Sequence, residues 1–185
     1  MCATYLTDDE RFMQQALAEA AHAAERDEVP IGAVVVCGDE IVATASNRRE
    51  TDRDPAAHAE FLAIEAAARA LDRWRLSDCT VYVTLEPCIM CAGLMQQARI
   101  KRCVYGATDP KAGALGTLYQ LHCDERLNHS FAVTGGVLAG ESAALLKAFF
   151  QERRDKDDHR DDHAQRADYR DTRMMREQRG DVSKQ

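Results

Sequence analysis

The chain has no run of about 18 apolar residues, so a membrane-spanning helix is not expected. Its opening stretch, MCATYLTDDERF, lacks a basic segment followed by an apolar one, which argues against a secretory signal there. An excess of positive charge is missing too. The net charge is −7, which disfavours non-specific binding to a polyanion, although a local basic patch would still be felt by a nearby phosphate. Seven cysteines, an odd number scattered through apolar segments, do not read as a disulfide framework. That usage fits reduced thiols, and hence a cytoplasmic protein. What is present suits one globular domain: 185 residues, 45% of them hydrophobic, with no internal repeat.

Periodicity gives an order of elements. Thr7-Asp8-Asp9-Glu10 is a capping box, and Phe12, Met13, Ala16, Leu17, Ala20 and Ala24 follow at helical spacing, predicting a helix over 8–26. The runs 31–37 and 40–46, split by Gly38-Asp39, predict a hairpin. A polar loop over 47–57 leads to a helix over 58–71. A strand over 79–85, a helix over 88–98, a strand over 102–107, a weaker strand over 131–134 and a helix over 139–153 complete the series. Strands alternating with helices predict an α/β fold with helices on both faces of the sheet. Composition changes near Gln151. From there on, 10 basic and 10 acidic residues leave few large apolar ones, so disorder or a fraying helix is expected over 155–185, with the folded domain at 1–154.

Two short motifs carry chemistry. One is His58-Ala59-Glu60, the other Pro87-Cys88-Ile89-Met90-Cys91, and each falls where a helix begins. Cys88 and Cys91 are three apart, hence on one helical face, and a helix N-terminus favours thiolate. One imidazole and two thiolates leave a tetrahedral zinc with one open corner, the mark of a catalytic site, and zinc brings the pKa of a water there to roughly 7. Glu60 is then available to move protons. An ideal helix splays residues 58 and 60 apart, so both reach one point only if the backbone at the helix start is irregular. No second Cys-x-x-Cys supports a four-cysteine structural site, and Cys37, Cys79 and Cys103 read as small core residues in strands.

H-x-E followed by P-C-x-x-C is the known signature of zinc-dependent base deaminases, tRNA adenosine deaminases among them. Over most of the chain, the sequence resembles the bacterial tRNA-specific adenosine deaminases. The likeness rests on Val29 to Val35, Ala57 to Glu60, Val83 to Gly93 and Asn128-His129, with Thr84 to Gly93 the most telling stretch. The resemblance implies a three-layer α/β/α cytidine deaminase-like fold, a five-stranded mixed sheet between helices, usually dimeric. It implies one Zn2+ per chain on His58, Cys88 and Cys91, with Glu60 as the acid/base. The implied reaction is adenosine to inosine at the wobble position of a tRNA anticodon loop. Asn47 and the Ala59 N–H match positions that hold the extruded base, and Asp109 a position on the nucleic-acid side of the pocket. Phe149 and Phe150 match an aromatic pair near the anticodon loop, and Arg153 and Arg154 match basic residues of the last helix.

Plainer roles stand beside these: Asn47 as a strand end, Asp109-Pro110 as a turn, one of the two phenylalanines as core, and the arginines pairing locally. Two alternatives for the whole chain are a free-base or nucleoside deaminase for cytosine or guanine, and a non-catalytic zinc-stabilised RNA-binding subunit. The chain departs from its relatives at Thr108, where a basic residue is frequent, and in its long charged tail.

Overall fold

The computed structural model describes residues 7–156. The chain divides into two compact units at Leu146/Lys147.

In the first unit, α1 (Asp8–Glu25) starts at Thr7, whose side chain accepts from the Glu10 N–H while the Glu10 carboxylate accepts from the Thr7 N–H at 2.7 Å. Its buried stripe is Phe12, Met13, Ala16, Ala20 and Ala23. β1 (Gly32–Cys37) and β2 (Glu40–Ser46) form the expected hairpin, turning through Gly38 at φ 62°. The polar loop after β2 holds a short helix, α2 (Arg49–Asp52), that periodicity does not reveal. Then come α3 (Ala59–Ala70), β3 (Cys79–Leu85), α4 (Ile89–Ala98), β4 (Arg102–Ala107), a single 3-10 turn at Leu121–Cys123 and β5 (Ala132–Gly135). A last helix, α5, begins at 139.

The strands lie in the order β2-β1-β3-β4-β5. β1 is antiparallel to β2 and β3, whereas β3, β4 and β5 run parallel. The sheet is therefore five-stranded and mixed, as the resemblance implies. Alternation sorts its side chains. Ala33, Val35, Val81, Val83, Cys103 and Tyr105 face α3 and α4, meeting Ala63, Ile64, Ala67, Ala92 and Met95. Val34, Val36, Tyr82 and Val104 face the other way, onto Phe12, Met13 and Ala16 of α1. The fully buried Met13, Ile64, Leu76, Met95 and Ile100 each contribute roughly 1.5–3 kcal/mol of burial. Helix α1 lies so near the sheet that a Cβ on Gly32 would strike the Ala16 carbonyl and the Ala20 N–H.

In the second unit, residues 147–156 are helical. Phe149 and Phe150 meet edge to face at 5.5 Å, and the Arg153 guanidinium lies over the Phe149 ring at 4.9 Å. Of the stretch 155–185 expected to be disordered or a fraying helix, residues 155 and 156 are helical and the rest lies outside the described residues.

Candidate active site

Helices α3 and α4 pack on one face of the sheet, and their first residues converge where β3 ends. His58 and Cys88 are the last non-helical residues before them. Both are N-caps with extended backbone, φ −76° and ψ 148° for His58, φ −74° and ψ 175° for Cys88. The expectation that each is the first helical residue is thus corrected by one position. Their carbonyls accept the first helical bonds, from the Leu62 N–H at 3.0 Å and the Ala92 N–H at 2.9 Å. Neither side chain caps its own helix, so both are left to point at each other. This irregular start is what lets His58 and Glu60 serve one locus.

The Cys88 and Cys91 sulfurs lie 3.7 and 3.6 Å from the His58 Nδ1. All three donor atoms fall within 4.8 Å of one another. Tetrahedral zinc, with bonds of roughly 2.3 Å to sulfur and 2.1 Å to nitrogen, requires a nitrogen-to-sulfur edge of about 3.6 Å. The residues present fit that ion in donor type and in spacing. Hydrogen bonding from the Cys91 thiol, then from His58 and the Cys91 N–H, holds the Cys88 thiol at about 4, against the opposing effect of burial. Cys91 is driven the other way, because it supplies the proton to Cys88 and is itself buried. Its partner Cys88 raises His58.

Glu60, in the first turn of α3, is 4% exposed. Burial raises its carboxyl, which is opposed by its own backbone N–H, by His58 and by a hydrogen bond from Cys91. The carboxyl therefore stands beside the trio without belonging to it. A trio of soft donors next to a buried carboxyl meets the needs of metal-assisted hydrolysis.

Asn47 follows β2 and is buried. Its Nδ2 donates to the Glu28 carboxylate at 3.2 Å. Glu28, fully buried, also accepts from the Glu50 N–H at 3.3 Å and the Thr51 N–H at 2.6 Å, closing the start of α2. Asp109 is half-buried and turns inward on its own loop, accepting from the N–H groups of Lys111 and Ala112 at 2.8 and 3.2 Å. The plainer turn role is thus present at Asp109, whatever else it does. Ala59 is buried at the first position of α3.

Sequence reasoning missed Glu28 and Glu86. The Glu86 carboxylate, 2% exposed, accepts from the N–H groups of Asp109, Leu115 and Thr117 at 3.1, 3.1 and 3.0 Å, and from the Thr117 hydroxyl. It ties the 109–117 loop to the cysteine helix, and a Cβ on Gly113 would collide with it. A lone carboxylate at the end of an apolar run, directly before Pro87-Cys88, was the available signal. Glu28 offered none.

In the second unit, Phe149 is buried and Phe150 is 44% exposed. Arg154 donates to the Gln151 side chain at 2.7 Å, and Asp155 accepts from that same amide at 2.8 Å. Cys79 and Cys103 are the buried core residues expected, and the half-buried Cys37 packs against that core, its sulfur close to Cys79 and Asp78.

A profile of the MafB19-like deaminase family matches residues 7–154. The tRNA-specific adenosine deaminase of Bacillus subtilis is 51% identical over 151 residues, 82% of this chain and 94% of that protein. A solved structure from work on A-to-I editing by tRNA:A34 deaminases at the wobble position superposes with a TM-score of 0.71. It is 45% identical, over 74% of this chain and 99% of that one. A guanine deaminase from Nitrosomonas europaea gives a TM-score of 0.65 at 25% identity, over 80% of this chain and 85% of that one. The chain belongs to the MafB19-like deaminase family.

Proposed function

We propose that this protein hydrolytically deaminates adenosine to inosine at the wobble position of a tRNA anticodon, using one Zn2+ per chain held by His58, Cys88 and Cys91. The carrying observation is the meeting of that trio with the buried Glu60 carboxyl at the starts of two helices. When bound, zinc supplies a water made acidic enough to attack at neutral pH. Glu60 takes a proton from the attacking water as oxygen bonds to C6 of the base. It returns that proton to N1, then takes the second water proton from the new C6 hydroxyl and passes it to the departing amine, so that water and adenosine become inosine and ammonia. Asn47 spends its N–H on Glu28, which only accepts, and so offers its carbonyl oxygen to the base. The Ala59 N–H at the start of α3, where the His58 side chain makes no capping bond, supplies a fixed dipole to the base.

Asp109 lines the nucleic-acid side of the pocket. Phe150, Arg153 and Arg154 contact the anticodon loop, with the buried Phe149 ring packed against Phe150 and Arg153, an assignment that rests on their match to the family. The enzyme acts as a homodimer in the cytoplasm, and no helix among the described residues is long and apolar enough to cross a membrane.

A second reading, deamination of free guanine or cytosine, draws on the likeness to the guanine deaminase and on the acidic body. One experiment separates them. Zinc-loaded enzyme is incubated with tRNA, which is then sequenced, since inosine reads as guanosine, while ammonia release is followed from the free bases. A to G conversion at the wobble position is expected. Ammonia from free bases with unchanged tRNA refutes the proposal. Glu60→Ala should lower the rate by several orders of magnitude and leave zinc near one per chain. Loss of zinc with activity would make Glu60 structural instead.

A further inference from the structure

At the opposite end of the sheet, two cysteines face each other across neighbouring strands. Cys37, the last residue of β1, is the register partner of Cys79, the first residue of β3. Their sulfurs and an Asp78 carboxylate oxygen lie within 4.8 Å of one another. Paired residues on antiparallel strands have Cα atoms roughly 4.5–5.5 Å apart, inside the range a disulfide spans. The site described above begins where β3 ends, about 20 Å away along the strand.

The surroundings of the pair are asymmetric. Cys37 is half-buried and its sulfur lies 3.7 Å from the Arg73 guanidinium. Cys79 is fully buried, and burial with Cys37 beside it pushes its thiol up to about 12. Asp78 accepts from both thiols, at 3.4 Å from Cys37 and 3.6 Å from Cys79. The same carboxylate binds Arg73 at 2.5 Å. With guanidinium already seated on Asp78 and Cys37, a metal ion would have to displace a fixed cation. The cluster favours thiol chemistry over metal binding.

We propose that Cys37 and Cys79 are a redox-active dithiol that closes to a cross-strand disulfide on meeting a low-molecular-weight disulfide such as oxidised glutathione. Cys37, accessible and beside a cation, attacks one glutathione sulfur as its thiolate. Its own proton goes to solvent, a mixed disulfide forms and one glutathione thiolate leaves. Cys79 then attacks the Cys37 sulfur as its own proton departs, and the second glutathione is released. Two protein thiols are oxidised and one glutathione disulfide is reduced to two thiols. The bridge closes residues 37–79, a loop that carries His58 and Glu60, without touching either.

The test uses the zinc-loaded full chain, reduced, desalted and exposed to oxidised glutathione, followed by non-reducing peptide mapping. The expected product joins the Cys37 and Cys79 peptides, reverts with dithiothreitol, and melts about 5–10 °C higher than the reduced chain. Cys79→Ser should stop at a glutathione adduct on Cys37, whereas Cys37→Ser should leave Cys79 unmodified. Both thiols remaining free in the wild type, or an adduct on Cys37 that never closes, would overturn the proposal. A second tightly held zinc that protects the pair would overturn it as well.

Discussion

Replacing Glu86 by Gln probes the device that shapes one wall of the site. The native carboxylate accepts from three N–H groups and one hydroxyl, two donors to each oxygen. An amide keeps one acceptor oxygen. The cheaper orientation leaves that oxygen on the Leu115 and Thr117 N–H groups and turns the NH2 toward Asp109, where two donors then oppose each other. The Thr117 hydroxyl can rotate to accept. The cost is two unpaired donors, about 1–3 kcal/mol each, plus the lost charge on two surviving bonds, about 1 kcal/mol each, giving roughly 4–8 kcal/mol. The melting temperature at neutral pH should fall by roughly 10 °C or more.

The pH dependence supplies a second check. Burial would raise the Glu86 carboxyl, but hydrogen bonds from Thr117, Asp109 and Leu115 bring it below its ordinary value. A carboxyl lowered by folding contributes stability above its unfolded value, about 4.3, and loses it as pH falls through the folded value. Glutamine does not titrate. The gap between wild type and variant, read by urea unfolding, should therefore narrow as pH drops below about 4. A gap under about 1 kcal/mol at neutral pH, or one that stays constant into acid, would refute the assignment.

Glu28→Met removes the acceptor that orients Asn47, and kcat/KM should drop about 10- to 100-fold, equivalent to 1.4–2.8 kcal/mol, with zinc retained; unchanged kinetics in a folded variant would dismiss the Asn47 role. Asp9→Asn weakens the two bonds from Arg102, at 2.9 and 2.7 Å, and the one from Tyr82 at 3.0 Å, which latch α1 to β3 and β4. Destabilisation of about 2 kcal/mol is expected in thermal melts, and a loss below about 0.5 kcal/mol would show the latch to be idle. If Arg153 and Arg154 each meet a phosphate of the anticodon loop, tRNA affinity should fall about sevenfold between roughly 50 and 200 mM salt. Filter binding that is flat across that range would count against nucleic acid as substrate.

Much of this was legible in the residues. Thr7 and Glu10 announce their helix because a capping box is local chemistry, and both of its bonds form. His58, Cys88 and Cys91 were identifiable because ligand types at fixed spacing carry meaning without a fold. Their backbone was not: composition cannot distinguish an N-cap from a first helical residue, and the difference decides whether residues 58 and 60 converge. Glu28 and Glu86 stayed hidden because their partners are backbone N–H groups, which every sequence possesses. Strand order was equally out of reach, since β1 pairs with β3 across more than forty intervening residues. Cys37 and Cys79 read as core for the same reason: apolar flanks reveal burial but not which thiol lies opposite.

The two helix starts have a further consequence. An ordinary helix is begun by a serine or aspartate that folds back on its own first turn, and its closure is a private matter. Here those posts are given to an imidazole and a thiol that look outward to a common point. The zinc proposed for that point would fasten two helices with one knot, so stripping it should loosen both ends together rather than either alone.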